Sequence, residues 1–357
     1  MQPEHRRMNR RDFAIAAAAT AGVSGARRLS AAARPESDLK IGLYSITYLG
    51  VWYRGDALTL EQVIDRAKKF GYDGVEFDGK RPHGDPLDLP QWKCRDLRRY
   101  AESQGIDLYA VAANNDFSSP VPEHREAAIL YMRELLRMTA DMQIKLVRVF
   151  CAWPGVTTMP DGGGRYDVAG KIWAAAHQDF SEQQAWDWCR EGLKEVSRYA
   201  ADHDITLALQ NHPPVIHGYL DVLRMIKDVG APNLKVCFDA RLEQEMKPDD
   251  VLRATREIGP LQVLNHYGNE YDEVNGQIIR KNEELAAPQV TGLLDIGYKG
   301  YMGFELCHTL PLAGGQTVGI EFVDKNARLA ARSMREMVAE AKKKRAELQR
   351  PRAAMPG

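Results

Sequence analysis

Residues 70 to 78 read Phe70-Gly71-Tyr72-Asp73-Gly74-Val75-Glu76-Phe77-Asp78. The stretch leading into them, Leu60 to Phe70, has helical period, and Gly74 to Phe77 is a short apolar run carrying one acid. Glycine at such a joint ends the helix in a left-handed turn, and the strand begins at once. The same phrase returns at Gln104-Gly105-Ile106-Asp107 and at Ile296-Gly297-Tyr298-Lys299-Gly300. A joint that recurs marks a repeated helix-to-strand unit, and such units build a parallel sheet.

Outward from this stretch, eight runs rich in Val, Ile and Leu can be placed: Leu39 to Ile46, Gly74 to Phe77, Leu108 to Ala112, Leu146 to Cys151, Ile205 to Gln210, Leu234 to Phe238, Val263 to Tyr267 and Met302 to Cys307. Segments of helical period fill the gaps, among them Arg125 to Met142, Glu182 to Ala201 and Phe322 to Lys342. No Gly-x-Gly-x-x-Gly turn follows the first run, so the pattern predicts a closed (β/α)8 TIM barrel, a single domain over residues 34–342, rather than an open doubly wound sheet. The longest insertion, Trp153 to Asp179, follows the fourth run and holds Gly162, Gly163 and Gly164; it is expected to overhang the barrel mouth as a lid.

Bulk properties narrow the function. Hydrophobic residues make up 44% and charged residues 27% of the 357, enough apolar material for a core without disulfides. The 48 basic residues nearly cancel the 49 acidic ones, leaving a net charge of -1 and no field to gather nucleic acid or anionic lipid. The five cysteines are odd in number, and Cys151, Cys237 and Cys307 lie in apolar runs, so they read as small buried hydrophobes.

The amino end reads as an address. Asn9-Arg10-Arg11-Asp12-Phe13 precedes an alanine-rich run, Ala14 to Val23, then Arg27, Arg28 and Ser30-Ala31-Ala32-Ala33. This resembles a twin-arginine export signal over residues 1–33, cleaved near Ala33, which implies a periplasmic or extracellular protein. The alternative is a basic, disordered tail that happens to hold paired arginines. The apolar run is too short to span a bilayer, so no stable membrane span is expected. Residues 343–357 are basic and expected to be disordered.

In such a barrel the working groups come from the last residues of the strands and the loops just after them. That rule selects Glu76 and Asp78, Arg148, Gln210, Asn211 and His212, Asp239, His266, Glu305 and His308. Gln210, Asp239, His266 and Glu305 stand at the ends of four consecutive strands, aimed at one point. Oxygen donors with one imidazole suit a single divalent metal, Mn, Mg, Co or Zn.

Five phrases in this order resemble the xylose isomerase-like sugar isomerase/epimerase superfamily: 71–77, 206–212 (Thr-Leu-Ala-Leu-Gln-Asn-His), 238–240 (Phe-Asp-Ala), 265–267 (Asn-His-Tyr) and 303–306 (Gly-Phe-Glu-Leu). The resemblance covers nearly the whole mature chain. It implies that Gln210, Asp239, His266 and Glu305 bind the metal. The family usually has glutamate where this chain has Gln210, and a glutamine cannot take a proton at neutral pH, so epimerisation by two ligand glutamates would be broken. A third carboxylate would also add a negative charge worth about 4 kcal/mol at 4 Å and an effective dielectric near 20, so Gln210 leaves a stronger Lewis acid. Leu242 is a second departure, standing where such epimerases often carry a substrate-binding histidine.

One base suffices to begin proton transfer beside a metal-bound carbonyl through an enediolate. Glu305, Glu76, His212 and His308 are the candidates, with His212 favoured and Glu305 in support; His212 reads equally as a turn residue before Pro213 and Pro214. Arg148, His308 and Asn211 are expected to bind substrate. The expected activity is that of a metal-dependent sugar isomerase or epimerase. Elimination across the glycosidic bond of a 3-keto-glycoside and non-catalytic sugar binding are the alternatives. The expected partner is a small sugar or glycoside, and a homo-oligomer is left open. Repair of nucleic acid, as in the remote relative endonuclease IV, is opposed by the neutral charge and the small number of histidines.

Overall fold

Helix Leu60–Phe70 shows how each unit is built. Thr59 accepts a hydrogen bond from the backbone of Gln62 while Gln62 reaches back to the backbone of Thr59, satisfying two amide donors at the helix start. Leu60, Val63, Ile64 and Ala67 form its buried stripe, and Gly71 closes it in the left-handed region at φ 84°. Gly105 does the same after helix Gln91–Gln104 at φ 71°. The recurring joint is therefore a helix stop followed directly by a strand.

The computed structural model describes residues 38–349 apart from 244–246, 269, 281 and 282; the expected export signal and residues 350–357 lie outside them. Eight strands, Asp38–Tyr44, Gly74–Asp78, Asp107–Ala112, Leu146–Val149, Thr206–Gln210, Leu234–Asp239, Gln262–Gly268 and Lys299–Glu305, pair in parallel with their neighbours in sequence. The first closes on the eighth, Asp38 to Leu43 against Lys299 to Phe304. The result is the closed (β/α)8 TIM barrel expected from the sequence.

The main core lies between strands and helices, where Leu43, Phe77, Val147, Leu209, Phe238 and Phe304 are fully buried. Burying each such side chain stabilises the fold by about 1.5–3 kcal/mol. Inside the barrel a smaller cluster of Ala110, Ala208, Cys237 and Leu264 forms the floor beneath the mouth. A register shift opposite Val75 and Glu76 leaves Tyr109 as an extra residue in the third strand. A Cβ added at Gly42 or Gly303 would meet its hydroxyl at 2.4 or 2.7 Å, so these two glycines make room for the ring.

The insertion after the fourth strand folds into a short hairpin, Thr157–Thr158 with Gly164–Arg165, and helix Asp167–His177. The final helix, Ile320–Gln349, continues past Lys342 into the segment expected to be disordered. Lysine, arginine, alanine and glutamate favour helix there, Glu340 pairs with Lys344 at 2.8 Å, and Arg345 donates to the carbonyl of Leu294. All five cysteines are free and four are buried. Among the described residues no helix is long and apolar enough to cross a membrane.

Candidate active site

Inward-facing residues at the strand ends define the site. Asp239 is level with His266 in the ladder, whereas Gln210 is level with Cys237 and Glu305 with Gly268. Each offset is two residues, which moves a side chain along the barrel without turning it to the other face. The four expected ligands are thus staggered by the barrel's shear rather than set at one height, and all four are buried.

His266 is the hub. Its Nδ1 lies 2.9 Å from Oε2 of Glu305 and its Nε2 lies 2.8 Å from Oε2 of Glu76. The other oxygen of Glu76 accepts from Nε of Arg148 at 2.8 Å, and Nη1 of Arg148 donates to Oε1 of Gln210. The guanidinium is sandwiched by Tyr44 and Phe150, with its carbon 4.5 and 5.1 Å from the two ring centroids. Nη2 of Arg148 is buried and has no partner among the described residues.

Burial and mutual charge set the proton affinities here. Burial and Arg148 pull the His266 imidazole down, but Glu76 and Glu305 outweigh them and push it up to about 9. Burial raises Glu305, yet His266 and Arg148 reverse this and hold it at about 2. For Asp239, burial and the Glu305 charge outweigh the pull of His266 and Arg241 and lift it to about 6.

One oxygen of Asp239, one nitrogen of His266 and one oxygen of Glu305 lie within 4.8 Å of one another, and all three residues are buried. Two carboxylates and an imidazole so placed fit a divalent cation. Glu76 then holds the second ring nitrogen of His266, the arrangement that orients a metal-binding imidazole. The amide oxygen of Gln210 is shared with Arg148, so a cation would use its second lone pair.

The other expected residues divide. Glu76 is fully buried and has both oxygens committed to Arg148 and His266. Asn211 does not face the cavity: its Nδ2 donates to the Asp239 carbonyl and to Glu243, and its Oδ1 accepts from the Asp239 amide, so it clamps the fifth strand to the sixth. His308 lines the cavity with Nε2 2.8 Å from Oε1 of Glu270. His212 also lines it, half-buried, its ring 4.9 Å from that of Trp153 and 5.2 Å from that of Phe150. Burial lowers its pKa to about 4. Its Nδ1 is 2.6 Å from the carbonyl of Pro213, which can only accept, so Nδ1 carries the proton and Nε2 the lone pair.

The cavity over these groups has a volume of about 470 Å³. Trp153, Tyr166 and Trp173 of the insertion line it, as does Tyr44 at the end of the first strand. None of these was selected from the sequence. Tyr44 obeys the strand-end rule and could have been found by it; the insertion's aromatics carry no local signal of where their rings point. The hydroxyl of Tyr166 donates to the carbonyl of Cys307 at 2.8 Å, tying the insertion to the eighth strand.

Among curated proteins none matches the chain by sequence. Many solved structures resemble it in fold, three of them as follows. A D-psicose 3-epimerase from Clostridium cellulolyticum H10, solved with D-tagatose, has a TM-score of 0.64 at 19% identity, covering 84% of this chain and 99% of its own. An L-ribulose 3-epimerase gives 0.63 at 16%, covering 89% and 100%. The 3-keto-D-glucoside 4-epimerase YcjR from E. coli gives 0.58 at 16%, covering 86% and 100%. The model of the family described as "Xylose isomerase-like TIM barrel" matches residues 64–337, well over half of the chain. With its closed barrel and buried strand-end cluster, this chain belongs to the xylose isomerase-like TIM barrel family.

Proposed function

We propose that the chain is a divalent-metal-dependent enzyme of the sugar isomerase/epimerase type, moving a proton at a carbon beside a sugar carbonyl. The convergence of Asp239, His266 and Glu305 within 4.8 Å at the barrel mouth carries this reading. When bound there, the metal, of the Mn, Mg, Co or Zn type, would supply Lewis acidity to the carbonyl and hydroxyl oxygens of the sugar. Asp239, His266, Glu305 and the second lone pair of Gln210 would hold it. The solved relatives named as sugar epimerases support the substrate class.

His212 takes the proton. It is neutral at pH 7, its Nδ1 is fixed on Pro213, and Nε2 offers the lone pair. Glu305 stands in support. Arg148 aims its unpartnered Nη2 at a substrate oxygen as a fixed, desolvated donor, while Glu76 and Gln210 keep the guanidinium in place. Export by the twin-arginine route, read from Arg10 and Arg11, belongs to the same proposal.

One observation favours a second reading. The fifth strand offers the amide of Gln210, held by Arg148, where two-base epimerisation needs a carboxylate. A site with one acceptor suits elimination across the glycosidic bond of a 3-keto-glycoside. Incubating the metal-loaded protein with ketoses and 3-keto-glycosides in D2O tests both. Deuterium beside the carbonyl that vanishes with EDTA supports proton transfer, and release of an aglycone selects elimination. Sugar affinity that survives chelation, with no exchange, would mean a non-catalytic binding barrel.

A further inference from the structure

The cavity is larger than a single sugar ring requires and its walls differ in kind. At liquid density its 470 Å³ would hold about fifteen waters, more than one pyranose displaces, and it lies in the range that encloses drug-sized ligands. Its floor carries Arg148, Gln210, Asp239 and Glu305. Another part of the lining is aromatic. Trp153 sits 5.2 Å from Phe150 and 5.8 Å from Tyr166, centroid to centroid. Trp173 stacks on His177 at 3.8 Å. Trp153, Tyr166 and Trp173 are only half-buried, so each keeps apolar surface that a ligand could cover.

Of this wall's ring donors, those of Trp173 and Tyr166 are already spent and Nε1 of Trp153 is left. Nε1 of Trp173 donates to Ser118 at 2.8 Å, and the Tyr166 hydroxyl donates to the Cys307 carbonyl. Pro154, Pro213, Pro214 and Leu242, which also line the cavity, offer no side-chain donor or acceptor. A second sugar ring there would find few protein partners for its hydroxyls, Nε1 of Trp153 being the ring donor left. A flat hydrocarbon ring loses nothing and gains stacking. Resting on the sugar-carbonyl chemistry proposed above, we infer that the substrate is a glycoside with a planar, apolar aglycone, the sugar over Asp239 and Glu305 and the aglycone against Trp153 and Trp173.

Calorimetric titration of the metal-loaded protein with 4-nitrophenyl glucoside, methyl glucoside (both anomers of each) and cellobiose tests this. The aryl glycoside should bind about tenfold more tightly than the methyl glycoside, the amount that one good aromatic contact supplies. Trp153→Ala and Trp173→Ala should each remove most of that advantage, weakening the aryl glycoside far more than methyl glucoside. Trp153→Phe, which keeps a ring, should retain it. Equal affinity for aryl and methyl glycosides, cellobiose binding as tightly as the aryl compound, an advantage that survives both alanine substitutions, or no binding of any of them overturns the inference. Turnover is not needed for the measurement. An aryl preference without deuterium exchange therefore sinks only the proton-transfer reading, and exchange without an aryl preference sinks only this one.

Discussion

Nε2 of His266 lies 2.8 Å from Oε2 of Glu76, a residue 190 positions earlier in the chain. With Nε2 so held, only Nδ1 is directed toward Glu305, the side from which a cation would approach. Glu76 thereby fixes both the ring plane and the tautomer of its neighbour. Glu76→Gln should weaken Mn²⁺ binding about tenfold to a hundredfold, as loss of such an orienting carboxylate typically does. Isothermal titration of wild type and variant checks it. Unchanged metal affinity combined with lost activity would instead make Glu76 the base.

Metal binding should depend steeply on pH. His266, raised to about 9, and Asp239, raised to about 6, must both lose their protons before they can ligate. The sign follows: affinity rises with pH, by about tenfold per unit between 6 and 9 as the His266 proton is displaced, and more steeply below 6. Titrations in buffers of different ionisation heat should show close to one proton released per metal at pH 7.5. A flat profile across this range would contradict the assignment.

His212→Gln should lower kcat by about a hundredfold to ten-thousandfold, the usual worth of a general base, while metal affinity stays as in wild type. Parallel kinetics and metal titrations separate the two. Undiminished kcat would move the base elsewhere, Glu305 first.

Tyr109 offers a test of stability. Its buried hydroxyl has no partner among the described residues, so Tyr109→Phe should be neutral or stabilising by about 1 kcal/mol. Gly303→Ala would set a methyl 2.7 Å from that hydroxyl and should cost about 1–3 kcal/mol. Urea denaturation reads both. A strongly destabilised Tyr109→Phe would mean that the hydroxyl is bonded, through an ordered water for instance.

Much of this molecule could be read from its residues because two local rules sufficed. Gly71, Gly105 and their like announce where a helix stops, and a barrel places strand ends at its mouth, so Asp239, His266 and Glu305 could be brought together without coordinates. What escaped depends on contacts across the barrel. The shear that staggers Gln210 against Asp239, and the bulge that leaves Tyr109 unpaired in its ladder, arise from closure of the whole sheet and leave no mark on the local pattern. The roles of Glu76 and Asn211 follow from partners on other strands. Trp153 and Trp173 sit in an insertion whose fold no period describes.

Binding of one divalent ion per chain by the cluster of Asp239, His266 and Glu305 is the claim beneath all the others. The direct measurement is metal content and Mn²⁺ titration of the purified protein beside Asp239→Asn, with folding of both checked by circular dichroism. One ion per wild-type chain, and a variant that folds but binds at least a hundredfold more weakly for loss of a charged ligand, is the expected result. Wild-type protein that binds no divalent metal, or a variant that binds it equally well, would contradict it.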